Sequence, residues 1–299
     1  MPPTVRKPAR AGSFYPATAE ACASQIATYR QQAVEVPSEV RGARVYGGVV
    51  PHAGWTYSGA SAAVVYKALA ASSEKPDTIV FFATGHRGGI HRPALQRSGA
   101  WRVPNGQIII DDELAEAMLD EARETQSLMD EPSAHHGDHA IEVQLPFLIE
   151  MLPDARFVPV AMPHSKDGPA AGEATARAAL KTGRRTVALA STDLTHYGAN
   201  YYGWAPKGSG PKAHRWSKEV NDRRYIDCLV SMDAVGAYKA GEENGSACGP
   251  SAGAAAVAFA KALGAEKGVL LEHITSWERA KAEQGEPTDF VGYAAMVFI

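Results

Sequence analysis

Cysteine is scarce in this sequence, long apolar runs are missing, and neither sign of charge is in large excess. Each shortage removes a class of protein. Three cysteines, Cys22, Cys228 and Cys248, are scattered over 299 residues. They make no disulfide framework, and they fit a reducing compartment where a thiol is either filler or functional. No stretch reaches the roughly 18 apolar residues of a membrane-crossing helix. The first seven residues lack the apolar core of a signal peptide. A net charge of −3 leaves no basic footprint for nucleic acid or an acidic membrane. There is no repeat of fixed period, no phosphate loop and no dinucleotide fingerprint. The expectation is a cytoplasmic protein that binds neither nucleic acid nor membrane.

What is present reads as an α/β chain. Apolar runs at 45–50, 78–82, 156–161 and 186–190 have the length and composition of buried strands, and helical patterns occupy 18–32, 58–71, 170–181 and 251–263. Strand, helix and strand in alternation give βαβ units and parallel strands. Further strands are expected at 107–110, 269–274 and 290–299. Further helices are expected at 113–124 and 139–151, the second interrupted at Pro146. The Gly/Pro-rich stretch 201–212 reads as a long loop between elements rather than a linker. The expected fold is a single α/β domain over residues 1–299, with a central mostly parallel or mixed sheet flanked by helices.

Open parallel sheets bind ligands beyond the carboxyl ends of their strands. The run ending at Val50 is followed by Pro51-His52, the run ending at Phe82 by Ala83-Thr84-Gly85-His86, and the run ending at Ala190 by Ser191-Thr192-Asp193-Leu194-Thr195-His196. A lone histidine at a strand end is more often a hydrogen-bonded loop residue. Three such ends on one sheet edge are better explained by a metal, because histidine is the commonest metal ligand and combines with thiolate or carboxylate around iron, zinc or copper. Cys248 lies among glycines just before a helix, where a thiolate is favoured; the plain alternative is a small buried hydrophobe. Cys22 and Cys228 fall inside helices and take that alternative. His139 and Glu142, three apart at a helix start, share a face and can serve as substrate groups or simply cap a helix. Phe14, Tyr15, Trp55, Tyr57 and Tyr197 are candidates to line an aromatic pocket. Gly249-Pro250-Ser251-Ala252-Gly253 matches a serine-hydrolase elbow, but no apolar strand precedes it and no acid-then-histidine order follows.

Several segments, in order, resemble the Memo-like family, also called AmmeMemoRadiSam system protein B. They are Ala11-Gly12-Ser13-Phe14-Tyr15-Pro16, Pro51-His52-Ala53-Gly54-Trp55-Thr56-Tyr57-Ser58-Gly59, Gly85-His86, His139-Ala140-Ile141-Glu142-Val143-Gln144-Leu145-Pro146-Phe147, Ser191-Thr192-Asp193-Leu194-Thr195-His196-Tyr197-Gly198 and Cys248-Gly249. The resemblance implies a fold like that of class III extradiol ring-cleaving dioxygenases. It also implies a metal site at His52, His86 and Cys248, with Asp193 and His196 beside it. Members are linked to iron and, in animals, to copper. The dioxygenases hold iron with two histidines and a carboxylate, and Cys248 stands in the third position here. Around Gly85-His86-Arg87-Gly88 the sequence departs from its relatives.

Three functions follow. In the first, Fe2+ held by His52, His86 and Cys248 acts with O2 on a small aromatic molecule or a peptide side chain. His196 is then the acid/base and Asp193 its orienting partner, with His139, Glu142, Tyr57, Phe14 and Tyr15 facing the substrate. In the second, zinc activates a water, with His196 or Glu142 as base. In the third, the cleft binds a peptide or a metal for a protein partner without catalysis.

Overall fold

In a computed structural model, residues 4–201, 203–280 and 285–299 are described. Residues 1–3, part of the expected leaderless start, and residue 202, part of the expected long loop, lie outside the described residues.

Along the described chain the strands are β1 (Val5–Arg6), β2 (Gly47–Val50), β3 (Thr78–Thr84), β4 (Ala94–Leu95), β5 (Ala100–Val103), β6 (Gly106–Ile109), β7 (Met129–Asp130), β8 (Arg156–Met162), β9 (Thr186–Ser191), β10 (His196–Tyr197), β11 (Gly268–Thr275) and β12 (Phe290–Phe298). The helices are α1 (Ala19–Gln32), α2 (Trp55–Ala70), α3 (Asp112–Glu121), α4 (Leu145–Met151), α5 (Gly168–Thr182), α6 (Pro211–Trp216), α7 (Asp222–Val230), α8 (Ala234–Asn244), α9 (Pro250–Ala262) and α10 (Ser276–Arg279). The main sheet runs in the order β10-β12-β2-β9-β3-β8-β4-β7, with β11 paired to β12, and β1-β5-β6 form a small second sheet.

The centre, β2-β9-β3-β8, is parallel, while β12 runs antiparallel to β2 and β4 antiparallel to β8. The sheet is therefore mixed. Every residue of β3 and β9 is buried, as expected where helices cover both faces and the strand reads as a continuous apolar run. Alternate side chains divide between two cores. Ile79, Phe81 and Leu189 pack with α1, α2 and α4, whereas Val80, Phe82 and Ala190 pack with α3, α5, α7 and α9. Gly48 lets β12 come close, since a Cβ there would sit 2.2 Å from the Met296 carbonyl oxygen.

Several elements differ from the sequence reading, each for a local reason. The helix expected from 58 begins at Trp55, because the Phe14 carbonyl accepts the Trp55 N–H (2.8 Å) and so caps the end from outside the helix. The helix expected over 139–151 is a 3₁₀ turn, Glu142–Gln144, followed by α4. Pro146 falls in the first turn of α4, where a missing N–H costs nothing, and interrupts no helix. His139 precedes both, so His139 and Glu142 do not share a helical face. The loop expected to 212 gives way to α6 at Pro211, and α6 to α8 fill 211–244 together with a π-helical turn at Ser217–Asn221.

Candidate metal centre

β9 lies between β2 and β3 in the sheet, so the turns that leave the two outer strands meet above its end. The Val50 carbonyl accepts the Thr192 N–H (3.1 Å), and the Asp193 carboxylate accepts the His52 N–H (2.8 Å). These bonds fasten the β2 and β9 turns to each other. From the far side of β9, His86 brings its ring to 4.9 Å from that of His52, edge to face. His139 arrives from the loop before the 3₁₀ turn and stacks on His86 at 4.5 Å. One ring nitrogen from each of His52, His86 and His139 lies within 4.8 Å of the others. His52 is buried, His139 half-buried and His86 exposed, so the cluster is deep at one end and open at the other.

Hydrogen bonding decides which nitrogen each ring offers. The Ser191 hydroxyl donates to the Ala140 carbonyl (2.7 Å) and has only its lone pairs left for His52 Nδ1 at 3.2 Å. His52 Nδ1 must therefore carry the proton, and Nε2 presents a lone pair to the cluster. His86 Nδ1 faces the Asp138 carboxylate at 3.4 Å, and the other Asp138 oxygen accepts the His86 N–H (2.9 Å). A carboxylate behind a histidine is the support commonly found behind metal-binding imidazoles.

Protonation follows from the same contacts. Burial disfavours charge on His86, but Asp138 and the Cys248 sulfur outweigh it and push the pKa up to about 9. Burial, reinforced by the two neighbouring imidazoles, pushes His139 down to about 3 and keeps it neutral. Burial works against the Asp138 carboxylate, yet hydrogen bonds from His86 and from the Ala140 N–H hold it well below the usual range. Burial also lowers His196, with Asp193 pulling the other way.

The Cys248 sulfur is 3.4 Å from His52 Nε2 and accepts the Asp193 N–H (3.3 Å), with the Thr84 and Thr192 hydroxyls at 3.6 Å. Gly249 makes this crowding feasible. A Cβ there would sit 2.3 Å from the Thr84 hydroxyl oxygen. Asp193 reaches to 4.0 Å from His52 Nε2 through its second oxygen. His196 Nδ1 lies 3.1 Å from the Leu194 carbonyl, which leaves Nε2 as the open nitrogen of its ring.

The N-terminal segment closes one wall. Phe14 packs on the His139 ring at 4.5 Å. Glu142 is fully buried and accepts from Arg6 (2.7 Å), from the backbone N–H groups of Ala9 and Arg10, and from the Tyr15 hydroxyl (2.9 Å). Burial and the Glu142 charge push the Tyr15 hydroxyl far above the ordinary phenol range. Arg6 also donates to the His135 and Asp138 carbonyls, and so pins the loop that carries His139.

The structure thus brings together His52, His86, His139, Cys248 and Asp193, with Phe14 against His139. His139 belongs to the histidine cluster itself. Glu142 and Tyr15 are bound to each other in a buried anchor. Tyr57 sits at the surface in the first turn of α2, with no ring contact or hydrogen bond to the three histidines among the described residues. Tyr197 is a core residue stacked on Phe290 at 4.8 Å. The Ser251 hydroxyl is buried and donates to the Ser165 carbonyl (2.7 Å), a structural task. Sequence reasoning missed Ser191, Asp138 and Arg6 as supports. Asp138 could have been found as the acid inside the histidine-rich run, whereas nothing in the sequence links Arg6 to residue 142.

Fold and cluster together define an α/β protein with a histidine-rich candidate metal centre at the carboxyl edge of its parallel strands. The chain belongs to the Memo-like family, whose description as Memo-like protein matches residues 6–297. It is 37% identical to a MEMO1 family protein of Methanopyrus kandleri, over 98% of each chain. It is 34% identical to one from Methanothermobacter thermautotrophicus, over 97% of this chain and 99% of the relative. A MEMO1 family protein of Pyrobaculum arsenaticum is 33% identical over 98% of this chain and 99% of its own. Among the described residues no helix is long and apolar enough to cross a membrane.

Proposed function

We propose that the protein is a non-haem iron oxidoreductase that acts with O2 on a small aromatic molecule or a peptide side chain. The observation that carries this reading is the convergence of three imidazoles at one strand edge, with His52 Nε2 held as a lone-pair donor beside a cysteine sulfur. Nitrogen and sulfur donors with a nearby carboxylate suit a first-row transition metal. His52 and His86 would hold it, with His139 and Cys248 completing the set and Asp138 and Ser191 orienting the rings. Bound iron supplies the one-electron chemistry that allows O2 to react with a singlet organic substrate.

The rest is work for the chain's own groups. His196 keeps Nδ1 on the Leu194 carbonyl and offers Nε2 to take a substrate proton. Its lowered pKa keeps it neutral and able to act as a base. Asp193 fixes the β9 turn that carries it. Phe14 excludes water from one side of His139, and the exposed edge of His86 marks the way in.

Protein purified without oxygen should carry close to one iron per chain and consume O2 with a catechol-type substrate. His52→Ala should lose both properties, while His196→Gln should keep the metal and lose turnover. Full turnover in chelated protein would overturn the reading. The three-histidine set also favours a second reading, since zinc takes such sets in hydrolases. Zinc retained on purification, with hydrolysis and no oxygen uptake, would select it. Peptide binding that survives His86→Ala would instead select a non-catalytic binding module.

A further inference from the structure

Behind the centre, between the ends of β3 and β8 and the 3₁₀ turn Pro132–His135, is a small internal cavity. Thr84, Trp101, His135, Asp138, Ile141 and Ala161 line it, and about 10 Å³ is open to the centre of a water-sized sphere. That is the room one water needs, whereas a dry cavity this small would normally be lined by apolar groups alone.

His135 is the residue that calls for an occupant. It is 2% exposed. Burial and the neighbouring Arg6 charge push its pKa down to about 3, so the ring is neutral. One ring nitrogen bonds to the Ala94 backbone. Nε2 has no hydrogen-bond partner among the described residues. A neutral ring that donates through Nδ1 has an unprotonated Nε2, so the missing partner must be a donor. The Asp138 carboxylate on the same lining is a second acceptor. Two acceptors match the two hydrogens of a water molecule.

We infer that this cavity is a binding site for a single buried water, which donates to His135 Nε2 and to Asp138. Asp138 is the carboxylate that faces His86. The water therefore ties His135 to the support of one residue at the candidate centre. His135 becomes a positioning residue that acts through Asp138. The inference does not rest on the metal reading, because every group it uses lies behind the three histidines.

The test uses the whole chain with a chelator present, so its outcome is independent of any bound metal. A high-resolution crystal structure should show one peak within hydrogen-bonding distance of His135 Nε2 and of Asp138. An empty cavity, or a side chain repacked into it, would overturn the inference. In solution, the 15N resonance of the unprotonated His135 nitrogen should show the shift of an acceptor. In Ala161→Val, whose added methyl groups take the water's place, it should move to the value of an unbonded imidazole nitrogen. The same resonance in both proteins would count against the water, and Ala83→Val, on the same lining, serves as the comparison if Ala161→Val does not fold.

Discussion

His52 and His86 are each anchored through one ring nitrogen, so the other is aimed rather than merely available. Ser191 does this for His52. Replacing it with alanine leaves the ring free to turn or change tautomer, and loss of such an outer support commonly costs about 10–100-fold in metal affinity. Competition against a coloured chelator should show that loss in Ser191→Ala with the fold intact. A second residue-scale consequence concerns acid. An unfolded histidine takes its proton near pH 6.5, but in the fold His135 and His139 do so only near 3. Their contribution to stability is whole above about 6.5 and drains away as pH falls toward 3, at up to about 1.4 kcal/mol per pH unit for each. Urea unfolding of chelated protein should show the decline between pH 6.5 and 5.5, below the range in which the raised His86 pKa acts the other way, and His135→Phe should make it shallower.

At the scale of elements, the N-terminal segment is fixed by one buried ion pair. Arg6 and Glu142 have side chains 8% and 0% exposed. Removing one partner of such a pair strands the other charge, at a cost of roughly 3–5 kcal/mol. Arg6→Ala should lower the urea midpoint accordingly and loosen the loop that carries His139, seen as faster amide exchange at residues 138–140. This dependence explains what the sequence could and could not disclose. Strands β2, β3, β8 and β9 were legible because each is buried on both faces and reads as an apolar run. Their order was not legible, since β9 enters between β2 and β3 from far along the chain. His52, His86 and Asp193 were legible as residues at strand ends. His139 was visible only as part of a polar run, because its place is set by Arg6 and Asp138 rather than by any periodicity of its own. Helices α6 and α8 escaped notice, and α7 was legible only as a helix around Cys228, because glycine and proline at 203–211 suggested loop and the helical pattern resumes only after Pro211.

For the whole molecule, a ligand that binds the native state and not the unfolded one raises stability by mass action, about 2.7 kcal/mol at a hundredfold excess over Kd. Adding Fe2+ anaerobically, or Zn2+ in air, should raise the thermal midpoint by several degrees. EDTA should reverse the shift, and His52→Ala should show none. An equal shift in His52→Ala would place the binding elsewhere on the chain.

The insertion of β9 between β2 and β3 also sets a timetable. His52 and His86 leave the ribosome early, yet the strand that holds their turns together begins a hundred or more residues further on, and Cys248 comes later still. During synthesis these two histidines precede the scaffold that aims them, and β2 and β3 must keep a gap for a strand not yet made. If the candidate centre takes a metal, selective loading would therefore belong to the finished chain, and an ion captured earlier would be gripped by unfolded histidines with no geometry to tell one metal from another.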